Sequence, residues 1–301
     1  MPEYPDVTIY IERLNAILQN QTMLNIRLTN PFILRTYEPS VSALAGKKIR
    51  KFTRLGKRIV FEFEDDLFLV LHLMIAGRLH WKKAGAKVQG KIGLAAFDFS
   101  GGTLMLTEAG TKKRASIHIV QSKDELNQFD KGGLEVFDAS LKEFSLRLTA
   151  SNHTLKRALT DPWLFSGIGN AYSDEILHRA KLSPIQLTQK MKTEQIKKLF
   201  QSTKTVLLEW TELLRQEAGE GFPEKVTAFR EEMAVHGKYG KPCPVCASKV
   251  QRIRYANNET NYCPTCQTKG KLLADRALSR LLKSDWPKSL DELEERLGKN
   301  K

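Results

Sequence analysis

Nowhere among the 301 residues is there an apolar run of the roughly 18 that a membrane-spanning helix needs. The amino end also lacks a basic stretch followed by an apolar one, so it does not read as a secretory signal. The expected location is therefore the cytoplasm, on the nucleoid in a bacterium. Cysteine is absent from the first 242 positions, and the four present lie together at Cys243, Cys246, Cys263 and Cys266. There is no internal repeat and no low-complexity tract. Acid is scarce relative to base: Asp and Glu number 34 against 48 Lys and Arg, a net charge of +14. Such a surface attracts polyanions, and nucleic acid is the usual one.

What is present divides into stretches of different period. After the opening MPEYPD, the segment PDVTIYIERLNAILQN repeats its apolar residues at helical spacing, with Val7, Tyr10, Ile11, Leu14 and Leu18 on one face. Pro5 suits the first turn, where its missing N–H is not needed. Seven strand-like runs follow: MLNIRLTN, KRIVFEFE, LFLVLHLM, RLHWKK, IGLAAFDFS, TLMLTE and ASIHIVQ, with Gly101-Gly102 as a hairpin turn. Many short strands with turns predict a β-sandwich. From Lys123 the pattern turns helical, through KDELNQFD, SLKEFSLRLTA, TLKRALT, NAYSDEILHRA and TEQIKKLFQSTKTVLLEWTELLRQ. Strands then helices predict an α+β chain of two main domains: 2–122 a sandwich with an N-terminal helix, 123–236 helical. A cysteine module over 237–267 and a basic tail over 268–301, with short helices at ADRALSRLLK and SLDELEERL, complete the order.

CPVC and CPTC are two C-x-x-C pairs with 16 residues between Cys246 and Cys263. Four thiolates at this spacing close a tetrahedral Zn²⁺ site, with no position open for a catalytic water, so the metal is expected to be structural. Two disulfides would fit the same count in an oxidising compartment, which a cytosolic chain disfavours. The segment between the pairs reads as a β-hairpin turning at Asn257 and Asn258, and Arg252 and Arg254 on it would present charge to phosphates. Upstream, SGIGNAYSDEILHRAKLSP places two glycines before a helix that Asn170 could cap, with Lys156 and Arg157 nearby. Backbone amides at such a start bind phosphate.

A Pro-Glu terminus, a GIGN turn after a strand-rich half, and a C-terminal zinc ribbon stand in one order. In this the chain resembles the formamidopyrimidine-DNA glycosylase and endonuclease VIII (Fpg/Nei) family over roughly residues 2–267. The resemblance implies a helix–two-turn–helix element in the second domain and a bifunctional DNA glycosylase and abasic-site lyase of base-excision repair. It would act as a monomer on double-stranded DNA carrying a damaged base or abasic site. Pro2, exposed by loss of Met1, would be the nucleophile, forming a Schiff base at C1′. An α-amine with a pKa near 8 is far more often neutral at pH 7 than a lysine. Glu3 would be the acid/base and Lys57 a helper in elimination. Met74 matches the side chain that fills the gap left by the flipped base, Lys156 a lysine beside the lesion pocket, and Asn170 a phosphate contact. His72 reads as a packed histidine near the same strand. The basic run Lys112, Lys113 and Arg114 stands where the family carries an intercalating Arg and Phe. Tyr4 and Asp6 depart from the usual Pro-Glu-Leu-Pro-Glu opening. Asn258 stands where the family finger has an arginine, which predicts that β-elimination outlasts δ-elimination. A chain with these departures could also bind damaged DNA without cutting it.

Overall fold

The computed structural model describes residues 1–224, 226–255, 258–274, 281–282 and 285–298. Its chain forms two compact units, one of residues 1–133 and 208–228, the other of 134–207 and 229–301. The expected boundary at 123 thus lies ahead of the observed one, and the segment 208–228, assigned by its helical period to the second domain, belongs to the first unit. Side-chain contacts explain this: Arg215 pairs with Glu12 at 2.7 Å, Phe222 lies 5.7 Å from the Tyr10 ring, and Val226 is buried with the sandwich core.

The first unit opens with α1 (Tyr4–Leu18), whose Val7, Tyr10, Leu14 and Leu18 enter the core. Eight strands follow: β1 (Asn25–Leu28), β2 (Ile49–Leu55), β3 (Arg58–Phe63), β4 (Leu67–His72), β5 (Gly77–Lys82), β6 (Gly93–Phe99), β7 (Gly102–Glu108) and β8 (Ser116–Gln121). They build two antiparallel sheets, β2-β3-β4-β8 and β1-β6-β7-β5. All seven expected strands are present. The eighth, β2, escaped because IRKFTRL carries three cations and its pairing with β3 shifts register between Ile49 and Lys51, which destroys the period of two. The β6–β7 turn is Ser100-Gly101 rather than Gly101-Gly102, since Phe99 pairs with Gly102. Gly102 is required for packing: a Cβ there would lie 2.3 Å from the Trp81 ring.

Inward-facing Phe61, Phe63, Leu69, Leu71, Phe97, Leu104 and Leu106 fill the space between the sheets. On the outer face of the β2-β3-β4-β8 sheet, Val60, Phe68, Val70 and Val120 form a smaller cluster under Leu126 and Phe129. This second cover makes β4 apolar on both faces. α2 (Lys123–Asn127) begins that cover, capped by Ser122.

In the second unit α3 (Leu141–Thr149) starts with a reciprocal Ser140–Glu143 capping box. α4 (Leu155–Thr160), α5 (Asn170–Ala180) and the long α6 (Thr193–Ala218) follow, and the division between units falls inside α6. The ribbon consists of β9 (Gln251–Tyr255) and β10 (Asn258–Tyr262), then the short α7 (Pro264–Thr268). The tail's expected SLDELEERL helix is α8 (Leu290–Gly298). Most of the expected ADRALSRLLK helix, and Asn257, lie outside the described residues. Among the described residues no helix is long and apolar enough to cross a membrane.

Candidate functional site

The amino end is buried, not frayed. Pro2 is buried, and Glu3 and Asp6 are 2% and 1% exposed. Glu3 N–H donates to Asp6 Oδ2 at 2.9 Å, and Val7 N–H to the Glu3 carbonyl at 2.9 Å, so α1 starts within two residues of Pro2. Asp6, one of the departures in sequence, thus holds Glu3 in place. Tyr4, the other, carries the Arg54 guanidinium 4.5 Å over its ring. Arg54 Nη1 in turn donates to the Gly56 carbonyl at 2.9 Å, inside the β2–β3 turn that presents Lys57. The terminus and the lysine turn are therefore joined through one stacked arginine.

Burial holds the α-amine of Met1 below its ordinary pKa. Arg78 and Lys57 act in the same direction, while Glu3 and Asp6 oppose them. The Met1 amine thus feels the charges of Glu3 and Lys57 and of one residue that sequence reasoning missed, Arg78. Arg78 Nη1 donates to the Gly77 carbonyl at 2.6 Å and to that of Ile75 at 3.2 Å, and its Nε donates to the Val226 carbonyl. No local motif marks it; its role depends on the pairing that brings β5 to the terminus.

Between β4 and β5 the chain turns through Leu73-Met74-Ile75-Ala76. Gly77 N–H donates to the Leu73 carbonyl at 2.9 Å, and a Cβ on Gly77 would fall 2.2 Å from that oxygen. Met74 has φ +52°, a left-handed conformation rare for a long side chain. It is half-buried, whereas Ile75 is 57% exposed. The side chain offered outward by this turn is Ile75, the neighbour of the expected Met74. The signal was present as MI, two apolar residues in a tight turn, but sequence could not say which points out.

The basic run is held from beneath. Glu108, 2% exposed, accepts from Arg114 N–H at 2.8 Å and Ala115 N–H at 3.1 Å. Lys113 Nζ donates to the Glu108 carbonyl, while Lys112 and Arg114 are exposed. On the outer sheet face, burial draws the His72 pKa down to about 4, aided by Arg58, Lys57 and His118. His72 faces Arg58 across the β3–β4 pair and is neutral at pH 7, a packed residue as expected.

In the second unit Asn170 does not cap α5. Gly169 holds that position, and Asn170 Nδ2 donates to the Glu259 carbonyl of β10 at 2.9 Å. Nor does Lys156 extend from α4: its Nζ lies 2.5 Å from Asp174 Oδ1 and donates to the Asn170 carbonyl at 2.6 Å. Asp174, 0% exposed, also bonds His236 Nδ1 at 2.8 Å and accepts from Asn261 N–H at 3.1 Å. Beside it, burial raises the Glu175 pKa, and backbone N–H groups of His236, Val235 and Ala234, each at 2.9 Å, act against that rise. One acidic pair on α5 thus ties down the chain entering the ribbon and the ribbon itself.

The four cysteine sulfurs lie within 4.8 Å of one another. Cys246 and Cys263 sulfurs are 3.3 Å apart, beyond the roughly 2.05 Å of a disulfide. Tetrahedral Zn–S bonds of about 2.3 Å separate sulfurs by distances of this order. His178 Nε2 stands 3.3 Å from Cys243 Sγ and can orient that ligand. The donor set fits one structural zinc. On the hairpin, Arg252 stacks 4.0 Å over Tyr239 and lies 3.2 Å from Glu259, while Arg254 is more exposed and 3.5 Å from the same carboxylate. Asn258 is exposed at the start of β10.

Comparison with known proteins gives the same order of parts. Residues 1–114 match the formamidopyrimidine-DNA glycosylase N-terminal domain, 135–217 its H2TH domain, and 240–269 the zinc finger found in FPG and IleRS. A formamidopyrimidine-DNA glycosylase of Mycoplasmopsis pulmonis is 28% identical over 89% of this chain and 98% of its own. An uncharacterised formamidopyrimidine-DNA glycosylase-like protein of Mycobacterium tuberculosis is 40% identical over 50% of this chain and 94% of its own. The Lactococcus lactis Fpg structure with abasic-site DNA superposes with a TM-score of 0.79 at 28% identity, covering 88% of this chain and 99% of that one. These matches take in sandwich, helical segment and ribbon, and the class they define is the zinc-finger DNA glycosylases of base excision repair. The chain belongs to the Fpg/Nei family, and its four cysteines hold one structural zinc.

Proposed function

We propose that the protein is a bifunctional glycosylase and abasic-site lyase acting on duplex DNA that carries an oxidised or ring-opened base. The observation that carries the reading is the buried amino end, where the Met1 amine feels the charges of Glu3, Lys57 and Arg78. Once Met1 is removed, the Pro2 nitrogen takes that environment. Its lone pair attacks C1′ of the flipped nucleotide, the C1′–N bond breaks, and the base leaves with the bonding electrons and a proton. Glu3 protonates O4′ as the sugar ring opens to the iminium. Loss of a C2′ proton, aided by Lys57, then expels the 3′-phosphate in β-elimination. Water hydrolyses the remaining iminium and restores the amine.

Strand contacts fall to Lys112 and Arg114, with Ile75 entering the stack. Asn170 would meet a phosphate through the site that Lys156 braces, and Lys156 itself acts as a positioning residue. Asn258 cannot supply the charged fork of an arginine, which supports cleavage that stops after β-elimination.

The test is borohydride trapping on abasic duplex. The expected result is a covalent adduct that disappears in Pro2→Gly carrying an added N-terminal tag, which removes the free terminal amine, and whose nicked product keeps a 3′ sugar remnant. Absence of an adduct, with DNA binding retained, would instead favour a protein that binds damaged DNA without cutting it.

A further inference from the structure

The tail beyond the matched zinc finger folds back on the ribbon. Lys271 and Ser289 form a bridge, Leu272 N–H donates to the Lys288 carbonyl at 3.0 Å, and Leu273 N–H donates to the Tyr262 hydroxyl oxygen at 2.7 Å. This packing leaves a cavity of about 250 Å³ between hairpin and tail. Three aromatic residues line it, Tyr239, Tyr262 and Trp286, with leucines behind them and Arg252 and Arg254 beside them.

The polar groups of this cavity are mostly donors. Trp286 Nε1 is buried and meets no hydrogen-bond acceptor among the described residues. The Tyr262 oxygen already accepts from Leu273, so its own proton is the group left to offer. Both guanidinium groups stand at one carboxylate, Glu259. A ligand that satisfies this set has a flat apolar body, acceptor atoms on its edge and a negative charge. A nucleobase with its phosphate has all three: rings stack on aromatic faces, carbonyls accept, and arginine takes the phosphate. The volume is below the usual 300–1,000 Å³ of drug-sized sites, which suits one base and not a peptide segment.

We infer that the ribbon–tail cavity is a second nucleic-acid site that takes a single unpaired nucleotide of a DNA strand, its base among Tyr239, Tyr262 and Trp286 and its phosphate on Arg252 and Arg254. The site goes beyond the catalytic reading and shares with it only the premise that DNA is the ligand. It would let the enzyme hold an overhang or a displaced strand near the duplex under repair.

The test uses the full-length, zinc-loaded protein saturated with blunt duplex containing an abasic analogue. Labelled d(pT)5 is then added, and its anisotropy and the quenching of tryptophan fluorescence are followed. Saturable binding is expected. It should weaken at least tenfold in Leu272→Trp, which fills the cavity, and in Trp286→Phe, which removes the N–H and keeps the ring. Failure of d(pT)5 to bind the duplex-saturated protein, or equal binding to both variants, would overturn the inference. Borohydride trapping on the same proteins keeps the two readings apart. Lost trapping with retained d(pT)5 binding sinks the catalytic proposal alone, and the reverse sinks the cavity alone.

Discussion

Lys156 and Asp174 form a buried ion pair, 2.5 Å long, with side chains 12% and 0% exposed. Two further groups, His236 Nδ1 and the Asn261 N–H, close on the second carboxylate oxygen. One carboxylate therefore fixes α4, the start of the ribbon segment and β10 around the helix that begins with Asn170. A buried pair gains from its partners only while all are present, because removing one leaves an uncompensated charge.

Asp174→Ala should therefore cost about 3–5 kcal/mol of stability, read as an earlier urea midpoint. The double change Lys156→Met with Asp174→Leu removes both charges and should cost less than the single one. Equal losses would show that the pair is not what holds these segments.

The amine's environment sets a pH dependence. The Met1 amine is held below the ordinary value of about 8, and a Pro2 amine that inherits these surroundings is expected to shift in the same direction, its neutral fraction rising through a lowered midpoint. Initial trapping rates should climb with pH through that midpoint. Lys57→Met removes one cation that disfavours the charged amine, so the midpoint should move up. An unmoved midpoint would separate Lys57 from the nucleophile.

Ile75 and Met74 should differ in kind. Ile75→Ala removes an exposed side chain, and the expectation is no more than about 0.5 kcal/mol of stability lost but markedly slower capture of a base-paired lesion. Met74→Gly relieves the positive φ, which offsets the lost packing, and should leave capture nearly intact. Stopped-flow measurements with 2-aminopurine beside the lesion would rank the two.

Acid should weaken the sandwich through His72. Its folded pKa of about 4 lies below the ordinary 6.5, so the unfolded chain binds the proton more readily. The contribution is fully present above pH 6.5 and is lost as pH falls toward 4. The loss reaches at most about 3 kcal/mol from a shift of this size, less with the solvent contact that His72 retains. His72→Phe should flatten stability over that window, measured by denaturant midpoints at half-unit pH steps.

The order of parts, seven of the eight sandwich strands and the four metal ligands were legible in the chain before any fold was known. Alternation, helical period and Cys spacing are local patterns that burial and coordination impose directly on neighbours in the chain. The roles proposed for Pro2 and Glu3 came from the family resemblance, since Pro and Glu are ordinary residues at a terminus. Tertiary structure alone decided the partners. Arg78 reaches the amine only through β5, Tyr4 became a brace only once α1 met the β2–β3 turn, and Lys156 turned inward because Asp174 lies on the next helix, whereas Asp6 bonds Glu3 within the first turn of α1. The same holds for Ile75, which shares its turn with Met74. Which of two adjacent apolar side chains faces water depends on a backbone dihedral that the surrounding strands impose.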